Sequence, residues 1–330
     1  MTPKSSNACS PRPHPVRGYL FIAAATFCWA AAAAFGKLVF DGRIAWGGHR
    51  VAALDPLILS QARVTFSLAA LAPALLLTRG RHALAMRGAD ILRCMALGVC
   101  GITASNFFYY LAIEKTNVPT AIILQYTAPV WVLLYMLARH RQRPSGTRAL
   151  AVLAAVLGSA LAIGAFGAGQ MKLNTAGVVA AEVAALAFAF YNVYGHDVLR
   201  RHERWRVIVY ALVGAVAFWL VVNPPWKVIQ AHYSSGQWIF LAVFALGSWL
   251  LPFSFYFAGL QHIDATRAIV TSCLEPVFAI AIAALLLGDV LRPLQVVGVL
   301  AVLVGTVIIQ LPSRGEPVEE PPDAITLRVD

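Results

Sequence analysis

Ten stretches of about 20 mostly apolar residues, each bounded by charged residues or by Pro and Gly clusters, follow one another along the sequence. A helix rises 1.5 Å per residue, so about 20 residues reach across the roughly 30 Å hydrocarbon core of a bilayer. The stretches fall at 18–39, 56–78, 90–112, 118–138 and 147–167, then at 174–195, 206–222, 237–259, 263–287 and 293–311, and are numbered spans 1 to 10. A transmembrane barrel needs alternating segments of about 10 residues, whereas these runs are continuous and rich in Ala, Leu and Val. The chain therefore reads as an all-α polytopic membrane protein with ten transmembrane helices. Composition agrees, with 59% of the 330 residues hydrophobic and 12% charged, against about 45 to 50% and about 25% in an average soluble domain.

Lys plus Arg number 26 and Asp plus Glu 15, a surplus that in a soluble protein points to nucleic acid. The placement of the cations gives another reading. Lys4, Arg12 and Arg17 precede span 1; Arg79, Arg81 and Arg87 link spans 2 and 3; Arg139, Arg141, Arg143 and Arg148 link 4 and 5; Arg200, Arg201, Arg204 and Arg206 link 6 and 7. The alternate loops hold only Arg43, Arg50, Lys115, Lys172, Lys227 and Arg292. Positive loops stay on the cytoplasmic side, so both termini are expected inside a cell inner (plasma) membrane. Nucleic acid is not expected as a partner, because the arginines are spread over short loops without an aromatic stacking platform. Residues 1–17 read as a cytoplasmic segment. Residues 312–330, with several prolines and Glu316, Glu319, Glu320 and Asp323, read as a disordered cytoplasmic tail. The apolar run of span 1 is too long for a signal-peptide core, and a permanent helix is expected there. Cys9, Cys28, Cys94, Cys100 and Cys273 lack metal-ligand spacing and read as small packing residues. Neither a metal nor a cofactor is expected.

Sliding the chain against itself by 147 residues aligns Tyr109–Ile163 with Tyr256–Gln310 without a gap. Tyr109 then meets Tyr256, Ala121-Ile122 meets Ala268-Ile269, Pro129-Val130 meets Pro276-Val277, and Gly158 meets Gly305. At another offset, Phe35-Gly36-Lys37 resembles Tyr194-Gly195-His196. Each unit has five spans, an odd number, so the second enters the membrane from the opposite side. Two inverted five-helix repeats, 18–168 and 174–311, are expected, the architecture of alternating access around a midplane site.

Several local sequences carry a family resemblance: Arg63-Val-Thr-Phe-Ser-Leu-Ala-Ala-Leu in span 2, Gln125-Tyr-Thr-Ala-Pro-Val in span 4, Leu274-Glu-Pro-Val-Phe in span 9 followed by Gly288-Asp289, and the glycines of spans 5 and 10. In this order on ten spans they resemble the EamA type of the drug/metabolite transporter superfamily, over residues 18 to 311. The resemblance implies a secondary transporter, often an exporter of amino acids or other metabolites, with a central cavity lined by spans 1 to 4 and 6 to 9 and with spans 5 and 10 peripheral. The chain departs from the family after span 4, where Arg139-His-Arg-Gln-Arg stands in place of an acidic residue.

Ionisable side chains at membrane depth face a cavity or a partner. Arg267, Thr271 and Glu275 recur at i, i+4 and i+8 and are expected on one inward face of span 9. Glu182, Ala185, Ala189, Asn192 and His196 form a stripe on span 6 in which the two alanines leave room for a ligand. Thr26, Ala30 or Ala33, and Lys37 follow a similar stripe on span 1 with Trp29 beside it, and span 3 offers Thr103, Asn106 and Tyr110. Glu182 and Glu275 fall at similar heights in the outer half of the membrane. One of them is expected to be the proton-coupling or substrate-amine site; the alternative for each is an interhelical bond, or an ion pair to Arg267 or Arg63. For Arg63 itself, snorkelling to the headgroups and substrate contact both fit. His196 and Lys37 are expected at the interface. Tyr126, Trp131 and Tyr191 either line the cavity or belong to the interfacial aromatic belt. Pro129 and Pro276 are expected to kink spans 4 and 9, as static shaping or as rocking points.

The functional reading is a secondary transporter driven by a proton gradient or by exchange. No Gly-rich nucleotide loop is present, so ATP coupling within the chain is not expected. The alternatives are a lipid-linked substrate flippase and a membrane-embedded transferase. For the latter, His202-Glu203 and His262-Ile-Asp264 are the nearest acid–base candidates, and each also reads as a solvated loop. Gly158 and Gly305 permit close packing within the monomer or between two copies in a homodimer.

Overall fold

The computed structural model describes residues 14–40, 45–46, 49–50, 56–116, 118–140, 145–164, 174–287 and 292–311. Most of the N-terminal segment, the tail 312–330, Arg43, Arg141, Arg143, Lys172, Gly288-Asp289 and the Lys37 side chain lie outside the described residues. Span 1 is α1 (Pro15–Phe40), followed by a two-residue antiparallel ladder pairing Ala45–Trp46 with His49–Arg50. Span 2 is α2 (Pro56–Arg79) and span 3 is α3 (Gly88–Lys115). Span 4 consists of α4 (Val118–Gln125) and α5 (Ala128–His140), and span 5 is α6 (Gly146–Ala162). The second unit runs through α7 (Thr175–Arg201), α8 (Arg204–Val222), a short α9 (Pro225–Gln230) and α10 (Ser235–Leu260). It ends with span 9 as α11 (Ala265–Ser272) and α12 (Leu274–Leu287), and span 10 as α13 (Pro293–Ile308).

Local chemistry sets several starts. The side chains of Ser145, Asn174, Ser234 and Asp264 each accept a hydrogen bond from a backbone N–H in the following first turn, supplying acceptors to donors that a helix leaves unpaired. The expected extent of span 5 to residue 167 is too long, since α6 ends at Ala162; span 6 is longer than expected and runs on to Arg201. The connector α9, with Pro225 at its first position, was not among the expected elements.

Two irregularities occur twice. In α3 the turns from Leu97 to Thr103 are π-helical, and in α10 those from Leu246 to Leu250 are; a shift of 147 carries the first onto 244–250. Span 4 breaks at Tyr126–Thr127 and span 9 at Cys273, again 147 apart. The breaks have a chemical cause. Pro129 lacks the N–H that would bond the Gln125 carbonyl, and Pro276 lacks the one for Ser272. Gln125 and Ser272 are where α4 and α11 end.

Packing expresses the duplication as symmetry. Neighbouring spans run in a closed ring of order 1, 8, 2, 7, 3, 6, 4, 9 and back to 1. Exchanging each span for its partner five places on returns the same set of neighbours, as two inverted five-helix repeats require. Spans 5 and 10 pack on each other outside the ring. Their seam is backbone against backbone. A Cβ on Gly158 would lie 2.7 Å from the Val302 nitrogen, and one on Gly305 2.9 Å from the Ala151 carbonyl oxygen. Of the two expected uses of these glycines, the structure realises the one within the monomer.

The loops expected to be basic gather at one end of the bundle. Arg79 pairs with Glu203, and Arg206 donates to the carbonyls of Ala83 and His82 at 2.7 and 3.2 Å. Arg148 pairs with Asp264 at 3.4 Å, and the His14 backbone N–H donates to His262 Nδ1 at 3.5 Å.

Candidate functional site

The break in span 4 lies between the two carboxylates. The Tyr126 hydroxyl donates to Glu275 Oε2 of α12 at 3.1 Å. Farther along, the Trp131 indole N–H donates to Glu182 Oε2 of α7 at 3.1 Å, and Thr127 Oγ1 lies 3.3 Å from the same oxygen while its hydroxyl also reaches the Leu124 carbonyl at 2.7 Å. Here the sequence Tyr-Thr-Ala-Pro ends one helix and starts the next, and the Tyr126 and Thr127 side chains reach neighbours in the second repeat. Glu182, Glu275, Tyr126 and Trp131 are thus brought together around one backbone discontinuity, and all four are part-buried.

Other expected members lie elsewhere. Arg267 does not meet Glu275; its Nε lies 3.4 Å from Asp264 Oδ2, and its backbone N–H donates to the same carboxylate at 2.9 Å. Thr271 is buried, with Oγ1 donating to the Arg267 carbonyl at 2.7 Å. The expected i, i+4, i+8 face presumes an unbroken helix, and the break at Cys273 separates Thr271 from Glu275. On α7, Ala185 and Ala189 leave no room for a ligand, because Ala128, Val132, Ala265 and Ile269 pack against them. Asn192 is fully buried; it accepts from the Tyr256 hydroxyl at 2.7 Å and donates to the Phe188 carbonyl at 2.8 Å. That geometry ties α7 to α10.

The centre of the ring is aromatic. Trp29 lies 5.2 Å from Phe253 and 5.3 Å from Tyr256, ring centroid to centroid, and Tyr191 lies 5.4 Å from Tyr256. Tyr191 is therefore an interior residue, whereas sequence left it between cavity and interface. Tyr110 lies beside Tyr109 at 5.7 Å, and Asn106 Nδ2 donates back to the Ile102 carbonyl at 2.7 Å. Phe253 and Tyr256 were missed as site candidates. The signal for Tyr256 was its alignment with Tyr109 in the repeat.

Arg63 does not snorkel. It crosses from α2 to α10, where Nη2 donates to the Ser248 carbonyl at 2.6 Å. A small cavity of about 10 Å³ beside it is lined by Ser60, Arg63, Thr103, Asn106, Trp219 and Trp249. The acid–base pairs in the loops are engaged: His202 Nε2 lies 3.6 Å from Asp90, Glu203 pairs with Arg79, and Asp264 caps α11 and meets Arg148. Among the described residues no group of three His, Cys, Asp or Glu side chains is placed to hold a metal.

Among the described residues, eight helical segments long and apolar enough to cross a membrane, two shorter apolar helices, a pseudo-two-fold ring and carboxylates inside it define the class: a multi-pass, ten-helix, inverted-repeat membrane transporter. The chain belongs to the EamA-like transporter family, whose model matches residues 16–164 and 175–311. It is 26% identical over 228 residues to the "Uncharacterized inner membrane transporter YicL" of Salmonella typhimurium, covering 68% of this chain and 75% of that protein. It is 25% identical over 215 residues to the "Threonine/homoserine exporter RhtA" of the same species, covering 64% and 69%. A solved crystal structure superposes with a TM-score of 0.70 at 18% identity, covering 92% of this chain and all of its own, which establishes likeness of fold.

Proposed function

We propose that the chain is an inner-membrane secondary transporter that exports amino acids or related small metabolites, coupled to protons or to exchange, with both termini cytoplasmic. The observation that carries this reading is the pair of part-buried carboxylates, Glu182 and Glu275, each held by a side chain of span 4 at or just after its break. A carboxylate inside a membrane bundle is costly to keep charged and exchanges a proton or a cationic amine for solvent. Attaching both to one discontinuity joins their occupancy to the position of the half-helices α4 and α5. The exporter RhtA among the relatives supports an amino-acid substrate, and the grouping of arginine-rich loops at one end supports the orientation. Engagement of His202, Glu203, His262 and Asp264 in structural contacts favours transport over transferase chemistry.

The test is flux of a panel of amino acids into and out of proteoliposomes, with and without an imposed pH gradient. Wild type is expected to move at least one of them in a gradient- or exchange-dependent manner. Glu182→Gln or Glu275→Gln is expected to lower that flux at least tenfold at unchanged folded yield. Undiminished flux in both variants removes the carboxylates from the mechanism.

A further inference from the structure

Helix α2 brings Arg63 to a small cavity bordered by residues of both π-helical turns, Thr103 of α3 and Trp249 of α10. One guanidinium nitrogen is committed to the Ser248 carbonyl at 2.6 Å, and the guanidinium lies 6.0 Å from the centre of the Phe244 ring. Its Nε is buried with no hydrogen-bond partner among the described residues. Two hydroxyls near it share that condition, as do those of Ser159, Tyr191 and Thr266 elsewhere in the bundle. Thr103 Oγ1, at the end of the π turn of α3, and Ser248 Oγ, within that of α10, are unpartnered although their residues are only 2% and 1% exposed. Thr103 and Arg63 line one cavity with Asn106, and Ser248 adjoins it through its bond to Arg63. Three unsatisfied donors in one place are unusual, because a buried polar group left unpaired costs about 1 to 3 kcal/mol.

The chemistry of the missing partner follows from the donors. An arginine Nε–H has no acceptor capacity, and a threonine and a serine hydroxyl can both donate. All three therefore suit one acceptor of negative charge. The volume of about 10 Å³ is about the room of one oxygen-sized group, and apart from Ser60 and Asn106 the remaining lining, Val64, Ile102, Trp219 and Trp249, is apolar. Resting on the transport reading above, we propose that Arg63, Thr103 and Ser248 form the subsite for the carboxylate of the transported solute, with one carboxylate oxygen in this cavity. The subsite is separate from Glu182 and its donors. Arg63 is also close enough to Glu275 to act on it electrostatically. Arrival of an anion at the arginine is thereby felt by one of the two carboxylates.

The experiment compares acid with amide on purified full-length protein. L-threonine, L-leucine and L-phenylalanine are each titrated beside their own C-terminal amides, following tryptophan emission, since Trp219 and Trp249 border the cavity. At least one acid is expected to bind at least tenfold more tightly than its amide. Arg63→Lys keeps a charge but loses the planar fork, and is expected to erase that preference. Thr103→Val and Ser248→Ala, milder and nearly volume-neutral, are expected to reduce it several-fold each, and they hold the test open if the arginine variant does not fold. Equal binding of acid and amide, no saturable response to any acid, or a preference that survives all three variants overturns the inference. Flux indifferent to a pH gradient sinks the coupling reading but leaves the acid-over-amide preference in place, so the two failures are distinguishable.

Discussion

The seam between α6 and α13 is packed so closely that a single added methyl group should loosen it by a definite amount. A methyl group on Gly298 would meet the Ala162 nitrogen, and would lie 2.7 Å from both the Gly158 carbonyl oxygen and the Leu161 carbonyl carbon. All three are backbone atoms and none swings aside like the end of a long side chain. Ordinary contact between such atoms is about 3.5 to 4 Å, so the Gly158 and Leu161 atoms alone require the helices to part by roughly 0.8 Å or more. A gap of that size forfeits about a quarter to a half of each dispersion contact along the seam. Inserting one methylene into a packed interface costs about 1 to 3 kcal/mol, and rigid neighbours place this site toward the upper end. Alanine returns about 0.5 to 1 kcal/mol of helix preference over glycine, leaving a net loss of roughly 1 to 2 kcal/mol. At about 2 °C per kcal/mol, Gly298→Ala is expected to melt about 2 to 4 °C below wild type.

The comparison is Gly146→Ala at the start of α6, where a methyl meets nothing within 4 Å; its melting temperature is expected to hold or rise. Thermal unfolding of both variants in one detergent reads the difference, and flux per folded molecule is measured alongside. Spans 5 and 10 stand outside the ring, so flux per molecule of Gly298→Ala is expected to match wild type. Equal melting of the two variants refutes the packing reasoning. Normal melting with lost flux refutes the assignment of the seam as scaffold.

Tyr256→Phe deletes the hydroxyl that satisfies buried Asn192 Oδ1, and is expected to cost about 1 to 3 kcal/mol, read as a fall in melting temperature of several degrees; an unchanged value would mean that Asn192 finds another donor. His262, in the loop between α10 and α11, carries a pH prediction. Burial, with His14, Arg17 and Arg204 nearby, pushes its imidazole below the ordinary value. The folded chain then binds fewer protons there than the unfolded chain, so this contribution to stability is present above the ordinary imidazole range and declines as pH falls through it. Melting temperature is expected to drop between pH 7.5 and 5.5, with a smaller drop in His262→Asn; identical slopes would assign the effect to other groups.

The crossings were legible because the bilayer dictates a length and a polarity that few residues can disguise. The breaks were legible for a similar reason, since Pro129 and Pro276 each delete a named hydrogen bond. The π turns were not. Leu97–Thr103 and Leu246–Leu250 read as ordinary apolar helix, and nothing in Leu-Gly-Val-Cys-Gly-Ile-Thr marks an extra residue per turn. Periodicity put Glu182 and Asn192 on one side of α7, where the first is part-buried and the second buried, but it says nothing about what stands opposite, and the supposed room beside Ala185 and Ala189 is taken by Val132 and Ile269. It misled on span 9, where spacing by eight residues was carried across a break. Asp264 lies three residues before Arg267, in the position of an N-cap acceptor, and that local pairing supplies a nearer partner than any distant carboxylate.

Backbone and charge obey different symmetries in this chain. The π turns of α3 and α10 coincide under the repeat, as do the breaks in spans 4 and 9, so each repeat carries the same two weak points in its hydrogen-bond ladder. The interior charges do not repeat. At the offset of 147 Glu275 falls on Ala128, and by the alignment of Tyr194-Gly195-His196 with Phe35-Gly36-Lys37 Glu182 falls on Ala23. Equal weak points give the two halves equivalent movements about the ring, as inverted repeats that exchange conformations require. Charges present once give those movements unequal electrostatic consequences: the break of span 4 carries donors to both carboxylates, while its counterpart at Cys273 offers a thiol that bonds the Ile269 carbonyl of its own helix. On the transport reading proposed above, coupling should reside chiefly in span 4, which at or just after its break holds donors to both Glu182 and Glu275, with span 9 contributing Glu275 itself.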